Sequence, residues 1–292
     1  MDEKRYDRAD EDLGNITNLG HVNVSIADQR LSTAYYVSAL GLTRDPYLNT
    51  GTDNMWINVG MSQFHMPTGE PQVLRGVTGL VIPDREALLA RLAKARKELS
   101  GTRFAFRESN DCVETTCPWG NHINCHAPDR EGFGAIVLGM PYISWDVGPG
   151  TAPGIASFYR EILGVRAEVV ENGKGRCAHV QVGDRQFFVF RETDAPEKPY
   201  DGHHIQIYVA DFSGPYRKLK ERGLVFQESN QHQYRFKDIV DIDNGKVLFT
   251  VDHEVRSQTH PLFGRPLINR NPSQDNQHYH PGHDGLAWGM WS

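Results

Sequence analysis

The chain has 292 residues and a formal charge of -6, with 39% hydrophobic and 23% charged residues, an ordinary globular balance that excludes a chain disordered throughout. That length exceeds the roughly 100–150 residues of a common domain, so two cores are expected. There is no cluster of Lys and Arg interleaved with aromatic residues and no apolar run near the roughly 18 residues of a membrane span, so neither nucleic acid nor membrane is an expected partner. Residues 1–12 are charged where an export signal needs an apolar stretch. Four cysteines (Cys112, Cys117, Cys125, Cys177) are too few for a disulfide framework. Both features point to the cytoplasm.

In chain order, residues 1–17 read as a polar arm. Residues 21–26 (HVNVSI) alternate as a half-buried strand does, and an amphipathic helix over 32–40 follows, stopping at Gly41. Short strands are expected at 56–59 and 63–66 around a Gly-Met turn. A second unit opens with the strand 77–84 (VTGLVIPD) and a helix over 85–99 striped by Leu88, Leu89, Leu92 and Leu99, with a later strand at 122–125. Gly and Pro interrupt periodicity near 129–140, which reads as a linker.

The same order of elements then returns. A strand at 142–147 (YISWDV) leads to a helix over 156–163 that stops at Gly164, then to strands at 179–182 and 186–190. The strand 204–211 (HIQIYVAD) leads to a helix over 216–222 that stops at Gly223, then to a strand at 246–251. The expected division is an arm 1–17, a first domain 18–130, a linker 131–139, a second domain 140–256 and an extension 257–292. The extension carries Leu262, Phe263, Trp288 and Trp291 as candidate anchors and is expected to lie across the second domain.

Four successive strand-helix-three-strand units make an α+β protein that resembles the vicinal oxygen chelate superfamily, which includes glyoxalase, bleomycin resistance proteins and extradiol dioxygenases. The resemblance covers residues 20–255 and rests on the repeat together with Tyr35-Tyr36 to Gly41-Leu42, Phe158-Tyr159 to Leu163-Gly164, and Asp241 to Gly245. It implies tandem domains whose four βαβββ units curve into cup-shaped mixed sheets, with metal ligands on the first and last strands of a unit. Those positions fall on His21 and His65 in unit one, Val77 and Asn124 in unit two, Tyr142 and Val189 in unit three, and His204 and Phe249 in unit four. Extradiol enzymes pair units three and four, where Tyr142 and Phe249 replace the expected His and Glu. A pairing of units one and four, as in fused glyoxalases, would unite His21, His65 and His204 around a divalent metal such as Fe, Zn, Ni or Mn. A pairing of units one and two leaves His21 and His65, with Asn124 or His126 as additions.

The resemblance further implies groups in unit four that orient or protonate a substrate, and Tyr208, His232 and Tyr234 are the candidates. Alternation aims Tyr208 to the same side as His204 and Gln206. The sequence window holding Cys112, Cys117, His122, Cys125 and His126 lacks a zinc hook, so buried free thiols are expected there. Asp252-His253-Glu254 follows the last strand and could supply the carboxylate that Phe249 does not; Asp252 and Glu254 share a face, which reads as solvent-directed, while His278, His280 and His283 make the tail histidine-rich. Two functions follow: a metal-dependent enzyme acting on a small molecule chelated through adjacent oxygens, or a metal-free binding or resistance protein that traps an aromatic or planar ligand in an apolar cup. Pairing between two chains in a homodimer is the alternative to pairing within one. A third role, an interaction module, would use Trp288 and Trp291.

Overall fold

The computed structural model describes residues 6–47, 53–173, 175–266, 271, 273–275 and 279–283. Unit one comprises β1 (Ile16–Asn23), a helix α1 (Gln29–Ser32) that widens into a π-helix over Thr33–Ala39, then β2 (Thr43–Arg44), β3 (Asn54–Val59) and β4 (Ser62–Pro67). Unit two comprises β5 (Gly76–Val81), α2 (Arg85–Ala95), β6 (Ala105–Glu108), β7 (Val113–Thr116) and β8 (His122–His126), and a one-turn helix α3 (Arg130–Phe133) follows it. Unit three runs from β9 (Gly139–Val147) through α4 (Ala152–Phe158), its π-helical continuation Tyr159–Leu163, and β10 (Ala167–Asn172), β11 (Gly175–Gly183) and β12 (Gln186–Glu192). Unit four is β13 (His204–Val209), α5 (Ser213–Glu221), β14 (Val225–Asn230), β15 (Gln233–Val240) and β16 (Val247–Ser257).

The expected repeat is therefore present four times, with longer strands than the apolar runs alone delimit. Gly41, Gly164 and Gly223 end their helices with φ between 67° and 77°, a backbone state glycine adopts without a Cβ penalty. Two helices pass into π-helix where paired aromatics sit, at Tyr35-Tyr36 and at Tyr159; the wider turn lets all three rings be fully buried. Helix α2 ends at Ala95, earlier than the Leu stripe suggests, yet Leu99 stays buried.

Two eight-stranded mixed sheets result, ordered β14-β15-β16-β13-β1-β4-β3-β2 and β10-β11-β12-β9-β5-β8-β7-β6. Unit one therefore pairs with unit four, through antiparallel β1 and β13, and unit two pairs with unit three, through antiparallel β5 and β9. Of the pairings open from sequence, this is the one that unites the three histidines. Each sheet draws strands from both halves of the chain.

Period-two alternation gives each sheet two chemically distinct faces. In the first sheet the apolar face carries Val22, Phe64, Ile205, Ile207, Val255 and Phe236, all buried. That face packs on helices and on the second sheet: Phe190 lies 5.7 Å from Phe249, and Trp145 6.3 Å from it, between ring centres. The opposite face holds His21, Asn23, His65, His204, Gln206 and Glu254. A bulge between Leu19 and His21 in the β1–β13 register lets Leu19 face the core while His21, two residues later, faces the cup. Gly20 sits at that bulge, where any Cβ would overlap the Gln206 side chain.

A buried clasp joins the sheets beside this bulge. Gln186 of β12 accepts from the Leu19 amide at 3.0 Å and donates to Ser62 Oγ and the Met140 carbonyl, both at 3.0 Å. The second sheet's cup is filled from within. Tyr142 Oη lies 2.9 Å from His126 Nε2 and accepts from Asn124 at 3.2 Å, and Gly79 leaves the room that the Tyr142 ring takes. Cys112, Cys117 and Cys125 are buried and free. Among the described residues no helix is long and apolar enough to cross a membrane.

Candidate metal centre

Strands β1, β4 and β13 lie side by side, so inward side chains at matched levels converge. Asn23 pairs with His65 on one side and with His204 on the other, and His21 stands one inward position away. One ring nitrogen from each of His21, His65 and His204 lies within 4.8 Å of the other two. The ring centres of His21 are 5.6 Å from those of both His65 and His204.

All three Nε2 atoms are buried and have no hydrogen-bond partner among the described residues. Leaving a buried polar atom unpaired costs about 1–3 kcal/mol, so three at one point need a physical reason. Burial, chiefly, and the positive charge of Arg256 and Arg235 push the pKa of His21 and His204 well below the usual imidazole value, and that of His65 down to about 3. Neutral rings keep a lone pair for a cation. The amide nitrogen of the Asn23 carboxamide lies 2.7 Å from His65 Nδ1. A half-turn of the carboxamide brings its oxygen there instead, and Nδ1–H then donates to it and leaves Nε2 as the free acceptor. Trp56 stacks on the same ring at 3.8 Å between centres, fixing its plane.

Glu254 stands beside the three histidines; in sequence it is one of two carboxylates that could serve such a site but whose shared face reads as solvent-directed. In the parallel pairing of β13 with β16, His204 is level with Asp252 and Gln206 with Glu254. In unit one, His21 is level with Gln63 and its partner His65 comes two residues later. The same step from Asp252 reaches Glu254. The expected position, Phe249, is five residues earlier; an odd displacement reverses the face, and Phe249 is buried in the core. Nor do Asp252 and Glu254 face solvent: their side chains are 13% and 8% exposed. Arg235 grips Asp252 with Nη2 at 2.8 Å and Nε at 3.2 Å. Burial outweighs that partner and pushes the Asp252 carboxyl up to about 6. Glu254 Oε1 approaches Arg256 Nη2 at 2.7 Å, and Oε2 lies 3.6 Å from His204 Nε2. A cation between His204 Nε2 and this carboxylate would be met by both. Three neutral nitrogens and one carboxylate, all buried, are a donor set suited to a divalent transition metal.

The other candidate residues separate. Tyr208 lies on the cup face beyond Gln206, lines a cavity next to His21, and is kept protonated by burial. His232 is in the β14–β15 turn, with Nδ1 3.2 Å from Thr259 Oγ1 and its ring 6.3 Å from His260, so it stands at the outer rim. Tyr234 is not brought to the cup. It is level with Val255 on the core face and packs on Phe212 and Tyr216. Asn124 and His126 belong to the second sheet, bound to Tyr142.

The cavity beside the histidines measures about 610 Å³. Its walls include the turn at Gly60 to Gln63, residues 135–140 and residues 262–265. Thus the segment read as a linker and the start of the extension both border the site. The extension lies over the cup made by units one and four: Phe263 packs on Tyr208 at 4.9 Å, and Arg265 makes a buried ion pair with Asp45. His280 and His283 are exposed. Trp288, Trp291 and His278 lie outside the described residues.

No family model matches the sequence, and neither does any curated protein. Solved structures do share the fold. A Bacillus subtilis protein proposed to be a dioxygenase aligns over 84% of this chain and 86% of its own, at 15% identity and a TM-score of 0.54. Glyoxalase I from Zea mays aligns over 83% of this chain and 92% of its own, at 13% identity and a TM-score of 0.55. The chain has the tandem βαβββ fold of the vicinal oxygen chelate proteins.

Proposed function

We propose that this chain, having the vicinal oxygen chelate fold, is a metal-dependent enzyme whose metal is held by His21, His65, His204 and Glu254. The observation that carries this reading is the convergence of one ring nitrogen from each of three histidines, whose buried Nε2 atoms have no hydrogen-bond partner among the described residues, from the two units that pair across β1 and β13. The fold relationship to glyoxalase I and to a dioxygenase-like protein supports an enzyme acting on a small molecule in the adjacent cavity. A divalent metal, when bound, supplies Lewis acidity toward adjacent oxygens of a substrate.

The chain's own residues would do the rest. Asn23 and Trp56 hold His65 in its ligating tautomer and plane, Arg235 and Arg256 keep the Asp252 and Glu254 carboxylates in place, and Tyr208 presents a protonated hydroxyl at the cavity wall. Phe263 and Leu262 line one side of the cavity. Between a glyoxalase-like isomerase or lyase and a dioxygenase, the donor set favours neither. The metal-free binding reading drew on the lack of a carboxylate at any unit's end, and Glu254 now stands at the end of unit four.

Titration of the chelator-treated full chain with cobalt(II) tests the proposal. One equivalent per chain should bind with the visible absorption of a nitrogen-ligated site, and His21→Ala, His65→Ala and His204→Ala should each abolish that band. An unchanged titration in all three variants would remove the reading.

A further inference from the structure

The cavity beside His21 carries a polarity that the metal donors leave unused. Gln206 is 1% exposed and its Nε2 has no partner among the described residues. The Arg265 side chain is 5% exposed; it pairs with Asp45 through Nη2, while its Nη1 has no partner among the described residues. Both residues line the cavity, as does Arg256. Unpaired buried donors, one on a guanidinium that keeps its proton, call for an acceptor, and a charged acceptor satisfies them best.

The charges facing this space do not already cancel that demand. Asp45 is taken up by Arg265, by Gln63 and by the Tyr47 amide at 2.8 Å. Asp184 lines the cavity but is exposed at its edge. The remaining lining includes the apolar side chains of Met61, Ile136, Leu138 and Phe263. Phe263 stands edge-on to Tyr208, giving this wall an aromatic surface.

We propose that the cavity takes an organic anion: a carboxylate or similarly acidic oxygen group, met by Gln206 and Arg265, on a flat apolar body that lies against Met61, Ile136, Leu138 and Phe263. This deepens the functional reading above by naming the class of molecule the same cavity accepts. The C-terminal extension thereby contributes a binding residue and not only a cover. Arg265 reaches the cavity because its other nitrogen is anchored on Asp45 in the segment after β2.

The test compares 1-naphthoate with 1-naphthamide, of the same shape but uncharged, by titration calorimetry on the full chain. Naphthoate should bind at least tenfold more tightly. That preference should fall at least fivefold in Gln206→Met and in the paired variant Asp45→Asn/Arg265→Met, which removes the guanidinium without stranding a buried carboxylate. Equal affinity for the two compounds, no binding of naphthoate, or a preference that survives in both variants would each overturn the inference. Cobalt(II) titration of the same samples separates this outcome from the metal reading. Cobalt binding without a preference for naphthoate defeats the inference alone, whereas the preference in protein that takes up no cobalt upholds it and defeats the metal reading.

Discussion

Replacing His21 by Leu should change the sign of its effect on stability when metal is added. The ring is 2% exposed and its Nε2 is unpartnered, so in the metal-free protein it costs about 1–3 kcal/mol of unrecovered desolvation. Leu removes that cost but gives up the edge-on contact with Trp56 at 5.0 Å, a contact worth about 0.5–1.5 kcal/mol. The metal-free variant should therefore match the parent or exceed it by about 1 kcal/mol. With metal at a hundred times its dissociation constant, the parent gains about 2.7 kcal/mol that a chain lacking one of its ligands largely forgoes. Urea unfolding followed by Trp fluorescence, in chelator and then in saturating zinc, reads both differences. A variant equally destabilised in both conditions would refute the reasoning, because His21 would then be an ordinary packing residue.

Four further outcomes follow. Glu254→Gln should weaken cobalt(II) binding at least tenfold while far-UV circular dichroism stays unchanged, and Asn23→Leu should weaken it by about 10–100-fold through the orientation of His65. His253 accepts from Tyr159 Oη at 2.7 Å and donates from Nδ1 to the Val251 carbonyl at 2.7 Å, and burial lowers its pKa to about 3. Its folded pKa thus lies below the unfolded value of about 6.5, so the stability it contributes is full above that pH and falls by about 1.4 kcal/mol per unit as pH drops toward 3. In chelator, His253→Gln should reduce the pH dependence of unfolding between pH 6 and 4 by one proton equivalent, and an unchanged slope would contradict this. Gly79→Ala should destabilise by about 1–3 kcal/mol, since the added methyl meets the Tyr142 ring, and should leave cobalt binding intact.

The repeat was legible because the strand-then-helix order returns in every unit and a glycine ends the helix in three of the four, at Gly41, Gly164 and Gly223. Strands such as β6 and β14 were not, since their outward residues are mostly exposed and polar and only pairing defines them. Long-range pairing is likewise absent from local pattern, so the union of units one and four had to come from the sheet order. His21, His65 and His204 could be singled out because each lies at a predictable level of a central strand. Glu254 could be named only as one of two carboxylates after the last strand, because which way their shared face points follows from the pairing of β16 with β13 and not from local pattern. Tyr234 failed for the same reason: only its level with Val255 reveals that it faces the core. The part played by residues 135–140 and by Arg265 depends on tertiary packing alone.

X-ray absorption at the metal edge of the cobalt- or zinc-loaded full chain tests the central claim most directly. The account predicts a shell of nitrogen and oxygen at about 2.0–2.2 Å, with the outer-shell scattering of three imidazoles, falling to two in His204→Ala. A spectrum without imidazole scattering, or one that no substitution among His21, His65 and His204 alters, would contradict it.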